Sequence, residues 1–185
     1  QQPVMEGLPP IALQLFIVSE VFIFLGLFAS YWTMRLSAGA DWPPAGTPTE
    51  MNLVLPIIMT VILVASSATY HVAEGKMHHN DIGGFRLWLF LSIVLGAIFL
   101  GCTIYEYSHL FHMNFKPSTN AYSTAFYSIT GFHASHVLVG LGAFLTVLIA
   151  AMAGHTNKYL TFCVGLYWHF VDVVWFFVVS QVYYW

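Results

Sequence analysis

From Leu160 to Val182 the sequence stays apolar and aromatic for long enough to cross a bilayer, with His169 and Asp172 sunk in its middle. A helix rises about 1.5 Å per residue, so about 20 such residues span the hydrocarbon core. An ionisable side chain at that depth costs about 2.5–3.5 kcal/mol on insertion scales and is kept only when paired, shielded or used. This segment makes the chain a membrane protein whose helices face protein as well as lipid.

Four more apolar runs, near 11–35, 51–74, 85–108 and 123–153, precede the last one at 160–183. They predict an all-α polytopic membrane protein, a bundle of five transmembrane helices forming a single membrane domain over residues 1–185. Asp41-Trp42-Pro43-Pro44-Ala45-Gly46-Thr47-Pro48 connects the first two, because its three prolines exclude helix. The other connectors are Glu74 to Gly84, Lys116 to Asn120 and Gly154 to Tyr159. Only 7% of residues are charged, against about 25% in a soluble domain. Five Lys plus Arg against eight Asp plus Glu leave no basic patch for nucleic acid. Cys102 and Cys163 lie in separate apolar runs, which suggests neither a disulfide framework nor a thiolate metal site. The chain starts at Gln1, so a short preceding piece is expected, and the first apolar run is too long for a signal peptide.

Charge sets the orientation by a narrow margin. With the N-terminus cytoplasmic, Lys76, Arg86 and Lys158 fall inside, and Arg35 and Lys116 outside, as the positive-inside rule asks. Tyr183-Tyr184-Trp185 then forms an interfacial anchor on the outer face. Gly142, Thr146, Ala150 and Gly154 recur every four residues on the fourth span and predict a close helix contact inside the bundle.

The polar residues within the spans are the candidate functional positions. Glu20 lies nine residues into the first span and reads as a helix-to-helix hydrogen bond or as a proton-linked or lipid-headgroup site. His133 and His136 are three apart, as are His169 and Asp172, so each pair shares one helical face. Two histidines on one face cannot bracket a haem, and a di-metal site needs two Glu-x-x-His pairs where the chain has one, Glu106-Tyr107-Ser108-His109. Buried interhelical hydrogen bonds are therefore expected, with no metal ligand and no catalytic residue. Glu106 is expected at the water-reachable end of the third span. His71, Glu74, His78, His79 and Asp81 cluster around the end of the second span. They read as a solvated loop or as a proton-collecting surface, since histidine titrates nearest neutrality.

Ile17-Val18-Ser19-Glu20-Val21, Trp42-Pro43-Pro44, Thr130-Gly131-Phe132-His133 with His136, and Tyr167-Trp168-His169-Phe170-Val171-Asp172-Val173-Val174-Trp175 stand in order along the chain. In these stretches it resembles subunit III of the haem–copper respiratory oxidases, cytochrome c oxidase subunit III in particular. Many family members have seven spans, with a phospholipid-holding cleft between the first two and the other five. This chain is similar to a shorter bacterial form without those two, so another subunit would have to supply that wall.

The resemblance implies an accessory subunit without redox chemistry of its own. It packs on oxidase subunit I, beside subunit II and a small subunit IV, in the bacterial cytoplasmic membrane. Haem and copper belong to the partner subunits, and cytochrome c donates electrons through subunit II. Structural phospholipid and support of proton uptake on the inner side are implied as well. The equivalent subunit of a quinol oxidase, or a protein associated with nitric oxide reductases, is the nearest alternative. A free-standing proton transporter relaying through Glu20, His136 and Asp172 lacks the inverted repeat such proteins carry. A bis-histidine cytochrome would show a haem spectrum in the isolated chain.

Overall fold

A computed structural model describes residues 3–41, 54–118, 121–154 and 158–183. Five helices carry the chain: α1 (Pro3–Ala38), α2 (Val54–His78), α3 (Ile82–His112), α4 (Ala121–Met152) and α5 (Lys158–Val178). A short 3-10 turn (Gly39–Asp41) follows α1, and a π-helical turn (Val179–Tyr183) extends α5. All five helices contain a stretch long and apolar enough to cross a membrane, so the protein is a multi-pass membrane protein. The Trp42-Pro43-Pro44 loop and the Tyr184-Trp185 end of the expected anchor lie outside the described residues.

α2 and α3 run past their predicted ends at 74 and 108 because those ends are closed by polar residues that the apolar pattern does not register. Asn80 and Asn114 adopt left-handed backbone, with φ of 58° and 60°, just beyond α2 and α3. In each case the next amide reaches back five residues, Asp81 N–H to the Lys76 carbonyl and Phe115 N–H to the Leu110 carbonyl, both at 2.9 Å. This is the Schellman closure, which satisfies carbonyls left open at a helix end. Asp81 then caps the start of α3 by accepting the Gly84 amide at 3.1 Å. Most of the expected Glu74–Gly84 connector is consequently helix, and only residues 79–81 turn the chain.

α2 and α3 form a tight antiparallel hairpin, and α3, α4, α5 and α2 contact in sequence to close a ring. α1 lies outside that ring against α4 and α5 and is the least buried span. Without a hydrophobic driving force in lipid, helices associate by close packing and interhelical hydrogen bonds. Trp168 supplies the packing where α3, α4 and α5 meet. A Cβ on Gly140 would stand 2.8 Å from its ring, and one on Gly96 would stand 3.1 Å from it, so glycine leaves room for the indole. Phe144 packs on Trp168 at 4.7 Å and Tyr70 on Phe144 at 4.8 Å, extending the aromatic core towards α2.

The expected small-residue stripe does not face the bundle. Gly142 and Thr146 are exposed, nothing lies within 4 Å of a Cβ placed on Gly142, and Thr146 bonds its own helix at the Gly142 carbonyl. The close approach uses Gly140 instead, two residues away and therefore on another face of α4.

Candidate functional site

Two groups of polar residues join the helices inside the membrane. In the first, α1 meets α4: Glu20 Oε2 and His136 Nε2 stand 2.5 Å apart, with both side chains largely buried. The other ring nitrogen of His136, Nδ1, lies 2.8 Å from the Phe132 carbonyl oxygen. A carbonyl can only accept, so Nδ1 carries a hydrogen and Nε2 is the atom turned to Glu20. Phe24 and Phe132 pack against the imidazole at 5.3 and 4.5 Å, and Tyr167 donates to the His136 carbonyl at 3.2 Å. Glu20 thus has the interhelical partner its depth requires.

His133, one turn earlier on α4, meets α5 where His136 meets α1. It is fully enclosed, with Nε2 2.9 Å from the Val171 carbonyl of α5 and Trp175 packed on its ring at 5.1 Å.

The second group lines the α2–α5 seam. Ser67 donates to Asp172 Oδ2 at 2.9 Å, Trp175 Nε1 donates to Thr60 at 2.9 Å, and Tyr70 donates to the Thr161 carbonyl. Asp172 is only 9% exposed, and its second oxygen has no partner within the described chain. Glu74 is half-buried near Gly165 of α5. His169 lies within electrostatic reach of Asp172 and of His71. Expected interhelical hydrogen bonds are therefore present for His133, His136 and Asp172, whereas His169 makes none within the described chain.

The predicted surface cluster divides in two. His78, His79 and Asp81 occupy the exposed end, where Asp81 caps α3 and approaches Lys76 Nζ at 3.8 Å. Glu74 is half-buried against Gly165 of α5, and His71 is exposed one turn earlier on α2, which continues to His78. Glu106 also departs from expectation. It is buried at 7% exposure, on the face of α3 that it shares with the buried Thr103 and Leu110. Among the described residues, no three His, Cys, Asp or Glu side chains converge to hold a metal ion.

Ser67, Thr60 and Trp32 escaped notice in the sequence. Ser67 was detectable: with His71 and Glu74 it repeats at four and three residues, the spacing of one helical face. Trp32 donates to Gln181 at 2.8 Å, tying α1 to the π-helical turn after α5. That tie closes one end of an apolar groove of about 240 Å³ between α1 and α5, lined by Phe24, Phe28, Phe170, Val174 and Phe177.

The family model for cytochrome c oxidase subunit III matches residues 1–185. The chain belongs to the cytochrome c oxidase subunit III family. A probable cytochrome c oxidase subunit 3 of Nocardia farcinica is 40% identical over 169 residues, covering 90% of this chain and 82% of the relative. The cytochrome c oxidase subunit 3 of Synechocystis is 42% identical over 165 residues, 87% of this chain and 69% of that protein. The Thermostichus vulcanus protein of the same name is 37% identical over 94% of this chain and 85% of its own length. In this chain the polar contacts described above tie α1 to α4, α4 to α5 and α2 to α5.

Proposed function

We propose that this chain is the non-redox subunit III of a proton-pumping cytochrome c oxidase. It packs on subunit I, in a complex with subunit II and a small subunit IV. Electrons from cytochrome c pass through the haem and copper of those partners, where oxygen is reduced to water. The observation that carries the reading is the family match over the whole chain. What supports the accessory role is the use of the polar residues, which join α1 to α4, α4 to α5 and α2 to α5. In the bacterial cytoplasmic membrane the N-terminus lies inside and the C-terminus outside, with Lys76 and Arg86 on the inner side.

Two further tasks belong to this reading. The groove between α1 and α5 holds an acyl chain of structural phospholipid. The exposed His78 and His79 collect protons for uptake by subunit I. Free protons are scarce near neutrality, so groups that titrate there widen the capture surface. Replacing His78 and His79 together by Ala tests this in the purified complex. Steady-state turnover should fall towards alkaline pH while the haem spectra stay unchanged. Full turnover at every pH from neutral upward would reduce the pair to a solvated connector.

A further inference from the structure

A polar atom buried in a membrane bundle is paired with protein or with a held water, because nothing else there replaces its lost solvation. Among the described residues, two such atoms on α5 stand unpaired one turn apart. Trp168 Nε1 is a donor without an acceptor, and Asp172 Oδ1 is an acceptor without a donor. Both side chains are deeply buried, at 0% and 9% exposure. Four residues apart on a helix, they share one face, with Cβ atoms about 6 Å from each other. The packing of the indole sets the direction of its N–H. Its Cε3–Cζ3 edge meets Gly140 of α4, and its Cη2 corner meets Gly96 of α3. Nε1 belongs to the opposite edge, so the N–H turns away from α4 and towards α2. Asp172 turns the same way, since Oδ2 accepts from Ser67 of α2 at 2.9 Å. An unspent donor and an unspent acceptor thus open onto the same stretch of the α2–α5 seam.

The neighbouring hydroxyls of α2 do not complete them. Ser67 gives its hydrogen to Oδ2, Ser66 donates to the Ser92 carbonyl at 3.2 Å, and Tyr70 donates to the Thr161 carbonyl. An occupant that fits must accept a hydrogen from the indole and give one to the carboxyl, both from one small centre. A cation fails the first demand, because the positive end of the N–H dipole faces it. A halide fails the second, having no hydrogen to give. We infer that α2 and α5 hold one buried water between Trp168 Nε1 and Asp172 Oδ1. It accepts from Nε1, donates to Oδ1, and gives its second hydrogen to a lone pair of Ser67 Oγ. About three hydrogen bonds are usual for a buried water. Trp168, which packs against α3 and α4, is tied through this water to α2 as well, and the aromatic core is joined to the polar seam.

Cryo-electron microscopy of the complex purified from native membranes tests the assignment, at a resolution that shows ordered water. Density should lie within hydrogen-bond distance of both Nε1 and Oδ1. Apolar contact filling the space between the two atoms, or Nε1 bonded directly to a protein acceptor, would overturn it. Infrared difference spectroscopy gives a second readout. The difference between the parent and Asp172→Leu spectra should contain a water O–H stretch that moves to lower frequency in heavy-oxygen water. Asp172→Asn keeps an acceptor oxygen at this place and should keep the band. Absence of an isotope-sensitive band in the parent, or an equal band in Asp172→Leu, counts against the water. Where Asp172→Leu fails to assemble, Ser67→Ala replaces it, since it removes one partner of the water and leaves Nε1 and Oδ1 in place. The band should then shift, and an unmoved band would sink the site.

Discussion

His133 and His136 on α4 and His169 and Asp172 on α5 have the same three-residue spacing but end in different surroundings. Both α4 histidines are enclosed, because α4 is flanked by α3, α5 and α1 and each ring turns into a covered seam. On α5 only Asp172 faces a neighbour, through Ser67 of α2, while His169 looks out of the bundle. Spacing decides which side chains share a face. What covers that face depends on helices far away in the chain, or in another chain.

If this contrast is physical, substitutions should hurt in proportion to coverage. Trp168→Ala should have the largest effect, about 3–5 kcal/mol, because it empties the point where three helices meet on two glycines. Unfolding of the purified chain in mixed detergent micelles reads this directly. Glu20→Leu should come next, at about 1–3 kcal/mol, by stranding His136 without its partner. Glu20→Gln should recover most of that loss, and limited proteolysis should show α1 loosening in the Leu variant alone. His133→Leu loses one interhelical bond, for which membrane proteins give about 0.6 kcal/mol and at most about 1.7. His169→Leu should fall within about 0.5 kcal/mol of the parent chain, since among the described residues the ring makes no hydrogen bond. A loss for His169→Leu as large as that for His133→Leu would erase the contrast.

The five spans were legible because an apolar run of bilayer length has few alternatives, and the family was legible in the Tyr167–Trp175 stretch. Helix ends were less so. Asn80 and Asn114 close α2 and α3 through backbone geometry that hydropathy does not encode, which carries α2 on to His78 and α3 to His112, while the burial of Glu106 follows from the face it shares with Thr103 and Leu110. The small-residue stripe misled for another reason. Gly142 and Gly140 are alike in sequence, but only Gly140 faces a tryptophan from another helix. Glu20 was readable as needing a partner, and the Ser67–Asp172 pair was half-readable from the polar face of α2. The Trp32–Gln181 tie joins residues 149 positions apart and has no local signal.

The clamp that the Phe132 carbonyl places on His136 has a consequence for charge. With Nδ1–H fixed on that carbonyl, one hydrogen occupies the short gap between Nε2 and Glu20. If it rests on nitrogen, the two side chains are a cation and an anion; if on oxygen, they are two neutral groups. The sum is zero in both cases. α1 therefore carries its acid through the membrane with no net charge at that depth, and a shift of the proton across the gap alters only a local dipole. The pair acts as a self-neutralising rivet, able to fasten two helices while remaining almost invisible to the transmembrane voltage.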